Sequence, residues 1–198
     1  GVDILRNASA VVFLSAAYRD ALLAQYIPAA DRETIAKKSY IIPNGINSYW
    51  LEHKVLDKTP PPGKAIRIVF AGSIEPLKNP TATAEACRLL IDKGYTVTYT
   101  MVGNIRKPAL QDELIKMPFI RYLPAMDKEG LAALYKEQDL FVMPSVAETF
   151  GLVYAEAMTQ GLPVIYTREQ GFDRQFEEGV VGYHVDCHNP QDIADRIL

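Results

Sequence analysis

Short apolar runs alternate with amphipathic segments along most of the chain. After residue 60 the apolar runs predict strands at residues 66–71, 96–102, 119–123, 140–143, 163–166 and 182–185. Leu131, Leu134 and Tyr135 recur at helical spacing, and residues 108–116 and 150–160 are also predicted to be helical. Strands separated by helices favour an α/β fold with a parallel, doubly wound sheet.

Cap residues support these helix predictions. Asn79, Asp127 and Asn189 each precede a predicted helix, and Asn and Asp are preferred N-caps. Pro80 and Pro190 follow the two asparagines at the first helical position, where proline is tolerated. The three helices should therefore begin at these residues.

The first part of the chain has its own pattern. It predicts a strand at residues 10–15, a helix at 16–26, a second helical stretch capped by Asp31, and a strand at 40–43 that ends in the turn Asn44-Gly45. Residues 51–64, which include Pro60, Pro61 and Pro62, are predicted to be a linker.

In doubly wound sheets, ligands bind beyond the carboxyl ends of the strands. The loops of interest therefore begin at Gly72, Gly103, Leu123, Pro144 and Thr167. The loop from Pro144 is the most informative, because it leads from a buried strand into a helix. A helix N-terminus at this edge would attract phosphate through its unpaired N–H groups and its dipole.

The turn at this helix carries several candidate side chains. Thr149 is the predicted N-cap, and Gly151 would let a ligand approach the backbone closely. Leu152 and Glu156 should share one helix face because they are four residues apart. Glu148 lies at the mouth of the same turn. Taken singly, these glutamates would be interpreted as solvated surface residues.

Composition and charge exclude several classes of protein. The 198 residues carry a net charge of −3, which provides no general attraction to nucleic acid or to an anionic membrane. No apolar run is long enough to span a membrane, although peripheral membrane contact is compatible with the sequence. Cys87 and Cys187 form no C-x-x-C pair, which is typical of a reduced cytoplasmic protein.

Neither a metal site nor a cofactor site is predicted. Asp186, Cys187 and His188 are adjacent in sequence and cannot easily face one ion. No Asp-x-Asp pair occurs, and His184 is interpreted as structural or exposed. A dehydrogenase-like dinucleotide domain is disfavoured because no G-x-G-x-x-G follows a strand, and Gly72 stands alone there.

A family resemblance rests on the pair Glu148-x7-Glu156, with Phe150-Gly151 inside it and Gly161-x-Pro163 after it. This motif resembles the donor half of the retaining GT-B glycosyltransferases of family four. The resemblance implies a Rossmann-like donor domain at residues 63–198. It also implies that residues 1–62 are the tail of an acceptor domain followed by the interdomain linker.

The resemblance also implies residue roles. Glu156 would bind the ribose hydroxyls, and the N–H groups of Phe150 and Gly151 would bind the donor diphosphate. Glu148 would hydrogen-bond the transferred sugar and, with Lys78, would act in catalysis. The remaining residues of the implied donor site are Gly72, Ser73, Leu123, Thr149 and Leu152.

Ser73 departs from the family pattern, which has an arginine directly after the glycine. Lys78 matches the lysine that touches the diphosphate in the family. Either the Ser73 hydroxyl donates a hydrogen bond in place of the arginine, or a neighbour such as Arg106 or Lys107 supplies the positive charge, or catalysis is weak. These alternatives remain open at the level of sequence.

The implied substrate is a nucleotide-diphosphate sugar, with no cofactor. The sequence does not choose among UDP, GDP and ADP. The implied acceptor is a glycan or a lipid-linked glycan, in polysaccharide biosynthesis. Two alternatives remain: a nucleotide-binding module without transfer activity, and a GT-B sugar-nucleotide epimerase. Residues 1–198 alone are expected to be inactive, because the groups that position an acceptor would lie elsewhere.

Two further expectations concern the ends of the chain. Ile193 and Ile197 should pack on the donor sheet, because a short helix is marginal unless it docks. The apolar runs at residues 11–14 and 41–42 would be exposed strand edges if left alone. They should therefore pack against the donor domain or pair with a second copy, which would give a homodimer.

Overall fold

The first part of the chain folds into four helices and a small sheet. In order, these elements are α1 (Val2–Asn7), β1 (Val11–Phe13), α2 (Ala16–Tyr26), α3 (Ala29–Lys37), β2 (Ser39–Ile41) and α4 (Ser48–Glu52). β1 and β2 are parallel, with Val12 opposite Tyr40. The predicted helix at residues 16–26 is confirmed, and the predicted strands lie within a few residues of their observed positions. The structure is a computed structural model that describes residues 1–55, 57–59 and 63–198.

The remainder alternates strand and helix as predicted. Its first elements are β3 (Ala65–Ala71), a 3₁₀ turn (Pro76–Lys78), α5 (Pro80–Asp92), β4 (Thr96–Val102), α6 (Pro108–Leu114) and β5 (Ile120–Leu123). These are followed by α7 (Lys128–Lys136), β6 (Leu140–Val142), α8 (Leu152–Thr159), β7 (Val164–Thr167), β8 (Gly182–Val185) and α9 (Pro190–Ile197).

Six of these strands form one parallel sheet in the order β5-β4-β3-β6-β7-β8. The order reverses between β3 and β6, which makes the carboxyl edge of these two strands a switch point. The α/β doubly wound fold predicted from the sequence is therefore confirmed.

The core lies on both faces of this sheet. Ile68, Phe70, Tyr99, Met101 and Phe141 are fully buried on its central strands. Their apolar side chains are shielded from water on both faces of the sheet, as in a sheet that is covered by helices on each side. This packed scaffold holds the loops at the carboxyl edge.

The last helix docks as predicted. Asn189 accepts hydrogen bonds from the N–H groups of Gln191 and Asp192, so it is the N-cap of α9. Ile193 is fully buried, and Ile197 packs against the same core. α9 lies against α5 and against the strands β7 and β8.

Asp127 caps α7 as predicted, by accepting a bond from the N–H of Gly130. The prediction that Asp31 caps a helix is wrong. α3 begins at Ala29, after Pro28, and Asp31 lies inside its first turn. Asn79 is the N-cap residue of α5 as predicted, but its backbone is left-handed, and its side chain donates to the carbonyl of Cys187 at 2.7 Å instead of bonding to the start of the helix. This bond ties the start of α5 to the residues after β8.

The two apolar runs of the first part pair with each other, an arrangement that was not predicted. Phe13 is buried, and Leu14 lines a cavity shared with the main sheet. Val12 and Ile42 remain 56% and 57% exposed. The expected burial is thus only partly met within one chain, and pairing with a second copy stays a prediction.

α4 and the segment after it pack along the main domain. Trp50 is 2% exposed and belongs to the main core. The N–H of Val55 donates to the carbonyl of Thr159 at 2.8 Å, and Lys58 Nζ donates to the carbonyl of Tyr135 at 2.6 Å. The predicted linker is therefore held on α7 and α8 up to Lys58. Its proline run, residues 60–62, lies outside the described residues.

Candidate functional site

The loop between β6 and α8 carries most of the predicted site. α8 begins at Leu152, and Gly151 is its cap residue with a φ of 80°. Only glycine adopts this left-handed conformation without strain, and a Cβ there would lie 2.4 Å from the Tyr154 ring. The prediction that Thr149 caps the helix is wrong, because the left-handed turn at Gly151 starts the helix further on and leaves Thr149 exposed.

The start of α8 offers donors to a ligand. The N–H groups of Phe150 and Gly151 donate to no residue in the part of the chain that the structure describes. They lie at the positive end of the helix dipole, where an anion is stabilised. The Phe150 side chain is buried, and the Tyr154 hydroxyl beneath the turn donates to the carbonyl of Met143 at 2.5 Å. The donors are therefore held on a packed base.

Lys78 and Glu148 meet across two loops. Lys78 ends the 3₁₀ turn after β3, and its Nζ lies 2.5 Å from Oε2 of Glu148. The two side chains are 24% and 11% exposed. The N–H of Val146 donates to the carbonyl of Leu77 at 2.9 Å, which joins the same two loops through their backbones. The structure thus places a cation and a carboxylate together at the switch point of the sheet.

Two adjoining cavities open at this edge of the sheet. Cavity A has a volume of about 330 Å³, and its lining includes Leu14, Asn44, Gly72, Lys78, Glu148, Thr149, Phe150, Gly151 and Leu152. Cavity B has a volume of about 320 Å³, and its lining includes Ser73, Gly103, Asn104, Ala125, Met126 and Leu131. Ala71, Gly72 and Val153 line both, so the two cavities adjoin each other at the carboxyl end of β3.

The cavities bring most of the predicted donor site together. Gly72 lines both cavities and Ser73 lines cavity B. Leu123 does not line either one, because its side chain packs against the core and its carbonyl accepts the N–H of Gly103 at 3.2 Å. Arg106 and Lys107 are exposed and line neither cavity. Among the described residues that line the two cavities, Lys78 is therefore the only lysine or arginine.

Glu156 lies one turn up α8 from the cavities. It is half-buried and does not line either cavity. Burial raises the pKa of the Glu156 carboxyl, and the Trp50 indole beside it acts in the opposite direction. Trp50 also lies 6.0 Å from Tyr135 between ring centroids. The second carboxylate of the motif therefore faces α4 in this structure.

Sequence reasoning missed Gln170 and Gly171, which follow β7. The Gln170 side chain accepts the N–H of Glu148 at 2.9 Å, and the N–H of Gly171 donates to the carbonyl of Glu148 at 2.8 Å. Their loop was singled out by its position at the carboxyl edge of the sheet. Within that loop, the only sequence feature that marks these two residues is that a glutamine is followed by a glycine.

Two other cavities lie away from this site. One of about 530 Å³ lies beside α2 and contains His184, whose Nδ1 is 3.2 Å from Asp173 and 2.8 Å from Glu178. This supports a structural role for His184, which ties the loop before β8 to that strand. The other, of about 770 Å³, lies at the amino edge of the sheet, opposite to the edge at which such sheets bind ligands.

Among residues 1–55, 57–59 and 63–198, no three His, Cys, Asp or Glu side chains converge as a metal site would require. Within the same ranges, every helix is too short or too polar to cross a bilayer. Cys87 and Cys187 are both free and buried.

A family comparison covers most of the chain. The family model described as glycosyl transferases group 1 matches residues 53–198. This range contains β3 to β8, the lining of cavity B, the lining of cavity A except for Leu14 and Asn44, and the whole of the Glu148-x7-Glu156 motif. It leaves out α1 to α4 and the small sheet.

Curated relatives include two bacterial D-inositol 3-phosphate glycosyltransferases. The protein from Pseudarthrobacter chlorophenolicus is 36% identical over 138 residues, which are 65% of this chain and 32% of that protein. The protein from Paenarthrobacter aurescens is 28% identical over 202 residues, which cover 98% of this chain and 49% of that protein. The chain therefore spans from about a third to about half of the length of these relatives.

Solved structures share the fold. A glycosyltransferase from Rickettsia africae matches with a TM-score of 0.75 and 19% identity over 98% of this chain and 55% of that chain. The Anabaena protein HepE, in complex with UDP and glucose, matches with a TM-score of 0.73 and 21% identity over 98% of this chain and 54% of that chain. At this identity the comparison concerns the fold alone, and both matches include the first part of the chain.

Proposed function

This chain belongs to the glycosyl transferases group 1 family, and we propose that it is the donor-binding part of a retaining glycosyltransferase. Residues 63–198 bind a nucleotide-diphosphate sugar, and residues 1–62 contribute the end of the acceptor domain and the linker. The observation that carries the proposal is the meeting of Lys78, Glu148 and the free N–H groups of Phe150 and Gly151 around cavity A.

The diphosphate of the donor occupies cavity A. Its oxygens accept hydrogen bonds from the N–H groups at the start of α8 and from the Lys78 ammonium. Glu148 now holds that ammonium, so donor binding must exchange one anionic partner of Lys78 for another. Glu148 is then free to accept hydrogen bonds from the hydroxyls of the transferred sugar.

The same groups stabilise the transition state. When the bond from the anomeric carbon to the phosphate oxygen breaks, negative charge grows on the departing diphosphate. Donors already aimed at that charge in a partly buried site need little reorganisation, and one such donor is commonly worth about 3 kcal/mol. Lys78 supplies the positive charge, because Ser73 takes the place of the family's arginine.

The base and the ribose of the nucleotide extend along cavity B. Ala125 and Met126 line that cavity, and Val153 lines both cavities. Glu156 is one turn beyond Val153 and binds the ribose hydroxyls after its carboxylate turns away from Trp50. UDP is the first nucleotide to test, because the Anabaena protein of the same fold is complexed with UDP.

The acceptor is a glycan or lipid-linked glycan, held in part by residues outside this chain's donor domain. We propose polysaccharide biosynthesis as the process and the cytoplasm as the location. The two free, buried cysteines agree with a reducing compartment.

Calorimetry on the 198-residue chain tests the donor site. UDP, GDP and ADP are titrated into the wild type and into Glu156→Gln. We expect one nucleotide to bind and Glu156→Gln to weaken it by about tenfold, because a carboxylate accepts hydroxyl hydrogen bonds more strongly than an amide. Equal affinity of the two proteins for that nucleotide would show that Glu156 does not bind the ribose hydroxyls.

A nucleotide-binding module without transfer activity is the second candidate. Ser73 favours it, because the leaving group then has one side-chain cation fewer. A protein that combines this chain with a complete acceptor domain, binds the nucleotide sugar and yet shows no turnover would favour the module.

A further inference from the structure

We propose that Gln170 and Gly171 are positioning residues that hold Glu148 in the orientation needed to bind the transferred sugar. The inference rests on the proposed function, because it assigns a role to residues that act through Glu148. Neither residue lines cavity A, and neither belongs to the motif that defines the site.

Gln170 and Gly171 form hydrogen bonds with the backbone N–H and the backbone carbonyl of Glu148. The Gln170 amide oxygen accepts the Glu148 N–H at 2.9 Å. The Gly171 N–H donates to the Glu148 carbonyl at 2.8 Å. With both groups bonded to the same neighbouring loop, the peptide planes on either side of Glu148 cannot rotate freely. The direction in which its side chain leaves the backbone is fixed in consequence.

Gly171 permits the contact by its lack of a side chain. A Cβ at this position would lie 2.1 Å from the carbonyl carbon of Thr149 and 2.4 Å from the nitrogen of Phe150. Both are backbone atoms, so neither can move without moving the loop. Any larger residue would push away the segment that carries Glu148 and the donor N–H groups.

The gripping loop is itself anchored to the sheet. The Asp173 carboxylate, 6% exposed, accepts the N–H groups of Glu169 and Arg174 at 2.7 Å and 3.0 Å. It also lies 3.2 Å from Nδ1 of His184 on β8. The Gln175 side chain donates to the carbonyl of Gly171 at 2.8 Å. Glu148 is therefore held, through Gln170 and Gly171, against a strand of the core.

Gln170→Met tests the inference, because methionine has a similar length and offers no strong acceptor. The wild type is first titrated with UDP, GDP and ADP and with the glucose derivative of each. For each nucleotide, the Kd of the free nucleotide is compared with the Kd of its glucose derivative. The pair with the largest gain in affinity from the sugar is then used for the variants. We expect Gln170→Met to reduce the affinity gained from the sugar by about fivefold, the usual effect of one hydrogen bond, and to leave nucleotide affinity unchanged.

Two further variants separate positioning from a merely structural role. Gln170→Glu keeps an acceptor oxygen at the same place and should retain most of the sugar's contribution. Gln191→Met makes the same change on the exposed side of α9 and should alter neither affinity. Amide exchange at Glu148 should become faster in Gln170→Met and stay slow in Gln170→Glu, which checks that the hydrogen bond itself was lost.

The outcomes distinguish this inference from the proposed function. Equal losses of nucleotide and nucleotide-sugar affinity in Gln170→Met would indicate a structural role and overturn the inference alone. The inference would also be overturned if Gln170→Met lost none of the affinity contributed by the sugar, or if Gln170→Glu lost as much of it as Gln170→Met. A wild type in which the sugar adds no affinity would overturn it as well. A wild type that binds no nucleotide would overturn the proposed function, and the inference with it.

Discussion

The ammonium nitrogen of Lys78 lies 2.5 Å from Oε2 of Glu148, although the two residues are 70 positions apart in the chain. Each belongs to a loop that follows one of the adjacent strands β3 and β6. Partial burial shields the pair from water, so it is stronger than an exposed ion pair. A ligand that needs Lys78 must compete with Glu148 for it.

Replacing Lys78 by methionine should weaken binding of the nucleotide diphosphate by about tenfold or more, because a charged hydrogen-bond donor to phosphate is lost. Part of this loss comes from the unpaired Glu148 carboxylate, which would repel the diphosphate. The double variant Lys78→Met/Glu148→Gln should therefore recover some affinity. Calorimetry with the nucleotide that the wild type binds measures both effects.

Lys93→Met is a matched control for this prediction. Lys93 also forms an ion pair, 3.1 Å from Asp195, but both side chains are largely exposed and line neither cavity A nor cavity B. Its replacement should leave nucleotide affinity unchanged. Similar losses in the two lysine variants would show that Lys78 acts through general electrostatics and not through contact.

Nucleotide binding should change the fluorescence of Trp50, the single tryptophan of the chain. Trp50 is buried beside the Glu156 carboxylate, and removal of that charge toward the ribose alters the field at the indole. A titration followed by emission wavelength measures the shift. Glu156→Gln should lose most of it, and a shift of undiminished size in that variant would contradict the movement of Glu156.

The stability of the protein should rise between pH 8 and pH 10.5 because of Lys58. Burial lowers the pKa of Lys58 from 10.5 to about 8, so in this interval the unfolded chain binds more protons than the folded one. Unfolding then becomes less favourable as the pH increases. Below pH 8 the group is protonated in both states and contributes no slope.

Urea unfolding at several pH values, on the wild type and on Lys58→Met, isolates this contribution. All other titratable groups are common to both proteins, so their contributions cancel in the difference. The free energy of unfolding of the wild type should rise relative to that of the variant from pH 8 to pH 10.5. Parallel curves would show that Lys58 is not buried in solution.

Gly151→Ala should destabilise the protein by about 1 to 3 kcal/mol, the usual cost of a side chain forced into a left-handed conformation. The new Cβ would also meet the Tyr154 ring, whose hydroxyl supports the turn. Gly45→Ala is the control, because a Cβ there meets no atom within 4 Å. Urea midpoints of the two variants that differ by less than the error of measurement would contradict the prediction.

Local chemistry was enough to predict most of the secondary structure. The helix at residues 16–26 and the caps Asp127 and Asn189 were predicted correctly, because a cap bonds to residues two or three positions away. The parallel sheet followed from the alternation of strands and helices. The motif from Glu148 to Glu156 supplies half of the lining of cavity A, because residues 148–153 follow one another through one loop and the start of α8.

Backbone angles at the turn itself were not predictable from the same residues. Thr149 has the side chain of an N-cap, yet the left-handed turn at Gly151 starts the helix at Leu152. Asn79 likewise has a capping side chain, which bonds instead to Cys187, a residue distant in sequence. A residue that suits a cap can form one, but the backbone turn and the long-range contacts around it decide whether its side chain makes the capping bond.

By itself, the sequence determined the order of strands and helices along the chain, the family and the loop that carries the candidate site, because hydrophobic periodicity, capping and the motif act over a few residues. The tertiary structure alone decided that Lys78 pairs with Glu148, that Glu156 faces Trp50 and that Gln170 and Gly171 hold the site loop. These contacts join loops that follow different strands, and the packing of the sheet sets their distances.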